Sequence, residues 1–146
     1  MTLVVLSGVA AAHIGAGSPL VVKGALLYVA IQTLLSYFVA GVVKLANAEW
    51  RRGYALRAFI AQPGYSVPAL VSRILHTRLR VLVASWAVII FECSVPAAVV
   101  SAQSATIFAA TAFTFHIGNA YAFGLNRFLP TWAAAWPAVL FVAGGM

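Results

Sequence analysis

Three long apolar runs constrain this chain more than anything else in it. Residues 24–43, 81–102 and 105–125 each approach or meet the length of about 20 mostly apolar residues that an α-helix needs to cross a hydrocarbon core. Lys23 and Lys44 bracket the first run, Glu92 and Pro96 interrupt the second, and His116 and Asn119 interrupt the third. With 64% of its 146 residues hydrophobic, the chain carries more apolar surface than a soluble domain of that size can bury. A water-soluble globule is excluded. Polar tracts and periodic glycine are missing and Cys93 is the single cysteine, which also excludes disorder, a collagen repeat and a disulfide scaffold.

Two shorter apolar pieces flank the runs. Residues 129–145 reach about 25 Å as a helix, enough for a thin or locally thinned membrane, and read as a fourth span. Residues 2–12 reach only about 16 Å and cannot cross alone. No Lys or Arg precedes them, which argues against a signal peptide and for a half-helix or interfacial segment. The expected fold is therefore an all-α membrane protein. It is one transmembrane domain over residues 1–146, with no internal repeat: a bundle of three to four spans with a basic interfacial helix and loop at 47–80.

Nine Lys and Arg stand against two acids, a net charge of +7. Arg51, Arg52, Arg57, Arg73, Arg78 and Arg80 all fall in the 47–80 loop between two apolar runs, where a membrane protein meets anionic lipid headgroups, so nucleic acid is not the expected partner. The positive-inside rule makes this loop cytoplasmic and the chain a multi-pass protein, of a bacterial inner membrane on this reading. After Pro68, the residues Leu70, Val71, Ile74, Leu75 and Leu79 recur at helical spacing, which predicts an interfacial helix there.

Polar groups inside spans carry the functional signal, because lipid cannot solvate them. Glu92 and His116 each lie about 17 Å along their spans from opposite sides, so they reach matched depth near the midplane and are expected to pair. Such a pair either fastens two helices together or handles a proton, histidine being the side chain that titrates near neutrality. His116, Asn119, Phe123 and Arg127 share one face of the third span, and Thr33, Tyr37, Gly41 and Lys44 share one face of the first. Both stripes converge on the basic loop. Lys44 either snorkels to the headgroups or sits in a cleft as a base. Lys44, Glu92 and His116 are thus the candidate catalytic residues, with Tyr37, Gly41, Asn119 and Arg127 as candidate cofactor-binding residues and no metal set. His13 and His116 could in principle ligate haem, but no CxxCH motif supports it. Trp132 and Trp136, one turn apart before Pro137, read as packing or an interfacial belt.

The segment Tyr37-Phe-Val-Ala-Gly-Val-Val-Lys-Leu-Ala-Asn-Ala-Glu-Trp50, followed by Gly53-Tyr54-Ala55-Leu56, resembles the "YF-x-AG-x-x-KL…W-x-x-G" stretch of the HTTM family. That family comprises the horizontally transferred transmembrane domain proteins, which include vitamin K-dependent gamma-glutamyl carboxylase. Phe91-Glu92 with Pro96 is similar to the family's acidic mid-helix position. His116-x-x-Asn119 through Gly124-Leu125-Asn126, Phe128 and Trp136-Pro137 is similar to its histidine helix and following segment. The likeness runs in colinear order over roughly residues 18–140. It implies that Lys44 is the base that deprotonates vitamin K hydroquinone, starting an oxygenation whose strongly basic product removes a proton from a glutamate. It implies in turn that His116 is the later active-site histidine and that the cofactor, if any, is a quinol. Because the family's helices that precede Pro19 find no counterpart, the chain reads as a truncated, C-terminal-half version.

Three functions follow as expectations. The first is a quinol-dependent, carboxylase-like lyase or oxygenase. The second is a non-catalytic accessory subunit of a membrane complex, with a partner membrane subunit completing the bundle. The third is a haem or electron-transfer subunit.

Overall fold

A computed structural model describes residues 1–65 and 67–145 of the chain. Its elements are α1 (Thr2–Ile14), α2 (Pro19–Ala46), α3 (Ala48–Arg51), α4 (Tyr54–Ala61), α5 (Ala69–Ile74), α6 (Arg78–Ser94), a 3-10 helix (Val95–Val100), α7 (Ala102–Phe123) and α8 (Phe128–Ala143). No strand occurs among the described residues.

The central pillar is α2, which opens on Pro19 at its first turn, where a missing N–H costs nothing. Its 28 residues make it longer than the expected 24–43 span. The helix stops at Asn47, whose extended backbone begins α3 and whose side chain accepts a hydrogen bond from the Glu49 amide at 2.8 Å. Arg51 folds back to donate to the Leu45 and Ala46 carbonyls at 2.6 and 2.8 Å, covering the open end of α2.

Around this pillar stand α1, α6, α8 and the 3-10 helix. Small buried residues set the close approach, with Ala98, Ala105, Ala112 and Ala135 all fully buried. A Cβ on Gly8 of α1 would lie 2.3 Å from Val29 Cγ2, so α1 packs as a full helix against the bundle. Thr2 and Thr131 add a hydroxyl contact of 3.1 Å to α8. The short apolar piece at 2–12, expected as a half-helix or an interfacial segment, is a helix packed on the bundle. In contrast to these seams, α7 packs on α8 and the 3-10 helix and barely touches α6.

Two expectations need correction. The 47–80 loop was expected to hold one helix, over 70–79; it holds α3 and α4 as well, and α5 stops at Ile74. Thr77 takes an extended backbone and caps the Arg80 amide at 3.3 Å, so the residues after it belong to α6. Second, the 81–102 run is not one α-helix. Val95 and Pro96 begin a 3-10 helix, and extended Ser101 ends it by forming a capping box with Ser104 that starts α7.

Pro19–Ala46 and the composite Arg78–Val100, each with a mean hydropathy of 1.9 over its best window, are the two helices long and apolar enough among the described residues to cross a membrane. α7, which carries His116 and Asn119, is not among them, and α8 at 16 residues is short of a full crossing.

Candidate functional site

The site is built where α2, α6, α7 and α8 leave a cavity of about 320 Å³ beneath α3 and α4. On α2, the predicted stripe faces inward, with Thr33, Tyr37 and Gly41 buried. Lys44, one turn further, reaches Glu92 on α6, with Nζ donating to Oε2 at 2.6 Å. Its side chain is 19% exposed and that of Glu92 7%, so Lys44 occupies the cleft and does not snorkel. The Trp50 ring covers the ammonium at 5.3 Å, a cation–π contact that adds to the pairing.

The second polar pair joins α2 to α7. The Tyr37 hydroxyl and His116 Nε2 share a hydrogen bond of 2.7 Å. Trp132 of α8 stacks on the imidazole at 5.3 Å between centroids and 13° between planes, and its ring lies 4.4 Å from that of Tyr37. His116 Nδ1 is buried without a hydrogen-bond partner.

The expected Glu92–His116 pairing is therefore corrected, since each takes a partner on α2 instead. The reason lies in the offset of α6. Ser85 Oγ donates to the Trp50 carbonyl at 2.6 Å, Trp86 Nε1 donates to that of Arg51 at 3.1 Å, and Gly53 lies against Leu82. The first half of α6 thus packs on α3 and α4, and Glu92 comes level with the loop end of α2. Counting depth from Val81 placed it too far down.

Of the seven candidate residues, Lys44, Glu92, His116, Tyr37 and Asn119 line the cavity. Gly41 does not. It seats α2 against α6, where a Cβ would lie 2.7 Å from the Cys93 amide nitrogen. Arg127 is exposed at the start of α8 and off the cavity wall. His13 is exposed on α1, whereas His116 is buried, and the two share no cavity. All six loop arginines are exposed. Arg51 is engaged with the end of α2, Arg78 lies over the Tyr54 ring at 5.8 Å, and Arg80 donates to the Ile74 carbonyl at 3.4 Å.

Sequence reasoning missed the aromatic walls. Trp50 stood in the α2–α3 motif, but nothing in the spacing showed that its ring would cover Lys44. Trp132 was read as packing, though its i, i+4 relation to Trp136 carried the inward face. Tyr65, which meets Phe123 edge-on at 5.6 Å, lies in a loop without periodicity and gave no signal.

This lysine-bearing α2 and histidine-bearing α7 fall inside a match to the HTTM domain model that covers residues 19–143. The chain belongs to the HTTM family. No curated protein and no solved structure matches it. Membership makes it an integral membrane protein related to the carboxylase family, in contact with the lipid bilayer. The HTTM match takes in every element around the cavity, α2 through α8.

Proposed function

We propose that this HTTM protein is a membrane enzyme that binds a quinol in the α2–α6–α7–α8 cavity and moves a proton at Lys44. The observation that carries the reading is a cavity with aromatic walls into which Lys44 and His116, each held by a partner, bring polar nitrogen atoms. Its volume of about 320 Å³ lies within the range of small-molecule sites. A flat ring bearing two oxygens fits those walls.

A bound quinol supplies reducing hydroxyl groups; the remaining work falls to the chain. Glu92 holds the Lys44 side chain away from the headgroups and can take a proton from Nζ across their 2.6 Å contact. The neutral amine that results is the base. Tyr37 and Trp132 fix the imidazole of His116 in the cavity wall. Trp50 and Trp132 exclude water and offer ring faces for stacking.

The same reading places α7 and α8 in the bilayer beside α2 and α6, giving a multi-pass bacterial inner-membrane protein with its arginine-rich end at the cytoplasmic headgroups. Exposed Ile107, Phe113, Ile117 and Tyr121 on α7 support this, because they are surfaces suited to lipid.

The test uses the full chain in lipid nanodiscs, with menadiol as the ligand. The wild type is expected to bind it and to show menadiol-dependent dioxygen consumption. Lys44→Met is expected to abolish the consumption, at least a hundredfold, while binding stays within about threefold. Consumption unchanged in Lys44→Met overturns the role of Lys44. No binding to the wild type overturns the quinol reading and favours a non-catalytic accessory subunit.

A further inference from the structure

The helix that carries the aromatic cover of Lys44 is too short to hold itself. α3 makes little more than one turn, so where Ala48–Arg51 lies is decided by what grips it. Two neighbouring side chains on α6 grip it by its carbonyls. Ser85, fully buried, donates its hydroxyl to the Trp50 carbonyl at 2.6 Å, and Trp86 donates Nε1 to the Arg51 carbonyl at 3.1 Å. The Trp50 carbonyl also accepts the Gly53 amide at 3.0 Å, so both of its lone pairs are engaged. With the backbone held at two successive carbonyls, the Trp50 ring rests over Lys44 Nζ at 5.3 Å and against Phe59 at 6.0 Å. Glu92 lies on the same buried face of α6, about 10 Å along the helix from Ser85, and bonds Nζ directly. One helix thus supplies Lys44 with its carboxylate and, through α3, with its aromatic cover.

We propose that Ser85 and Trp86 are positioning residues for Lys44: they clamp the end of α3 to α6 so that the Trp50 ring stays over the ammonium. Neither side chain lines the cavity, so neither touches a ligand there. The direction of the Ser85 bond favours this role. Serine in a helix commonly bonds a carbonyl of its own helix, as Ser94 does on α6, where Oγ donates to the Phe91 carbonyl at 2.9 Å. Ser85 reaches across to another element instead. What the clamp secures is a contact that depends on the cation staying over the ring face, and a cover on the side from which headgroups and water would reach Lys44. The consequence for turnover rests on Lys44 being the base of a quinol site; the placement of the ring does not.

The experiment observes the lysine methylene next to Nζ by NMR, in the full chain in lipid nanodiscs with 13C-labelled lysine. Lys23 and Lys44 are the two lysines of the sequence, and Lys23→Arg assigns them. An aromatic ring over Nζ shields that methylene, so the Lys44 resonance is expected upfield of that of Lys23, and Trp50→Leu is expected to remove the displacement. Ser85→Ala and Trp86→Phe are each expected to lose more than half of it, while the Lys23 resonance and cooperative thermal unfolding persist. Ser94→Ala removes a hydroxyl hydrogen bond from the same helix without touching α3 and is expected to keep the full displacement. In the same discs, menadiol-dependent dioxygen consumption is expected to fall at least tenfold in both clamp variants and to stay within twofold of wild type in Ser94→Ala. A full displacement kept in Ser85→Ala overturns the assignment, as it does in Trp86→Phe should Ser85→Ala no longer unfold cooperatively. An undisplaced Lys44 in the wild type, or an equal loss in Ser94→Ala, overturns it too. Consumption unchanged in variants that lose the displacement shows that the ring does not serve Lys44 in turnover, and the positioning role falls. If the wild type shows the displacement and no menadiol-dependent consumption, the quinol reading fails and the clamp on Trp50 stands.

Discussion

At the scale of single residues, the site depends on two pairs whose members come from different helices. Lys44 and Glu92 are both mostly shielded, so removing one charge strands the other where neither lipid nor protein can solvate it. Lys44→Met or Glu92→Leu alone should each destabilise the protein by about 3 kcal/mol, and the double variant by much less, because it leaves no orphaned charge. Thermal unfolding in one detergent checks this, and additive losses in the double variant would show that the pair is not energetically coupled. Tyr37→Phe tests the other pair. It leaves both nitrogens of His116 without a protein partner and should cost about 1–3 kcal/mol by the same measurement, even though the stack on Trp132 remains. Lys44, Glu92 and His116 were legible as important from the sequence because polar groups in apolar runs are costly. Their partners were not legible, because a shift of a few residues between neighbouring helices reassigns every contact.

At the scale of elements, glycines decide how helices meet. A Cβ at Gly41 would approach Cys93 N, Cys93 Sγ and Glu92 C within 2.9 Å, mostly rigid backbone, so α2 and α6 would have to separate. Gly41→Ala is expected to cost about 1–3 kcal/mol by thermal unfolding, since it forces apart the seam that positions Lys44 opposite Glu92. Gly53 has a different constraint: its φ of +77° lies in the left-handed region and Leu82 is 3.3 Å from a built Cβ. Gly53→Ala should cost about 1–2 kcal/mol, and Asn at the same position should cost less of the backbone part of that loss. The ends of α2, α7 and α8 lie within about five residues of their hydrophobic runs, whereas the 81–102 run divides at Val95 into α6 and the 3-10 helix. Short helices α3 and α4 were not readable, since four and eight residues leave too little periodicity, and their stability comes from packing on α6. The switch to 3-10 geometry at Val95 was marked by Pro96, but the proline alone did not say whether the chain would kink or change helix type.

At the scale of the whole molecule, the reading of α7 as a lipid-embedded helix makes a prediction for labelling. With Cys93 replaced by alanine, single cysteines at Ile107, Ile117 or Tyr121 of α7 are expected to resist a membrane-impermeant maleimide in intact nanodiscs and to react after solubilisation in denaturant. Labelling in the intact discs would remove α7 from the bilayer. Composition identified the membrane class at once, while the closure of the bundle was hidden, because nothing in a sequence records which pair of helices packs most lightly. That pair gives the molecule an unusual mechanical character. Walking around the site from α2 to α6, α7, α8 and back to α2, the backbones pack closely at every seam except α6–α7, where Phe91 reaches across to Phe108 and Phe115, so the helices form a clasp with one light seam. The clasp must be held shut by what surrounds it. Acyl chains press laterally on embedded proteins, whereas a detergent micelle exerts little such force. The width of the seam is therefore a property of protein and bilayer together.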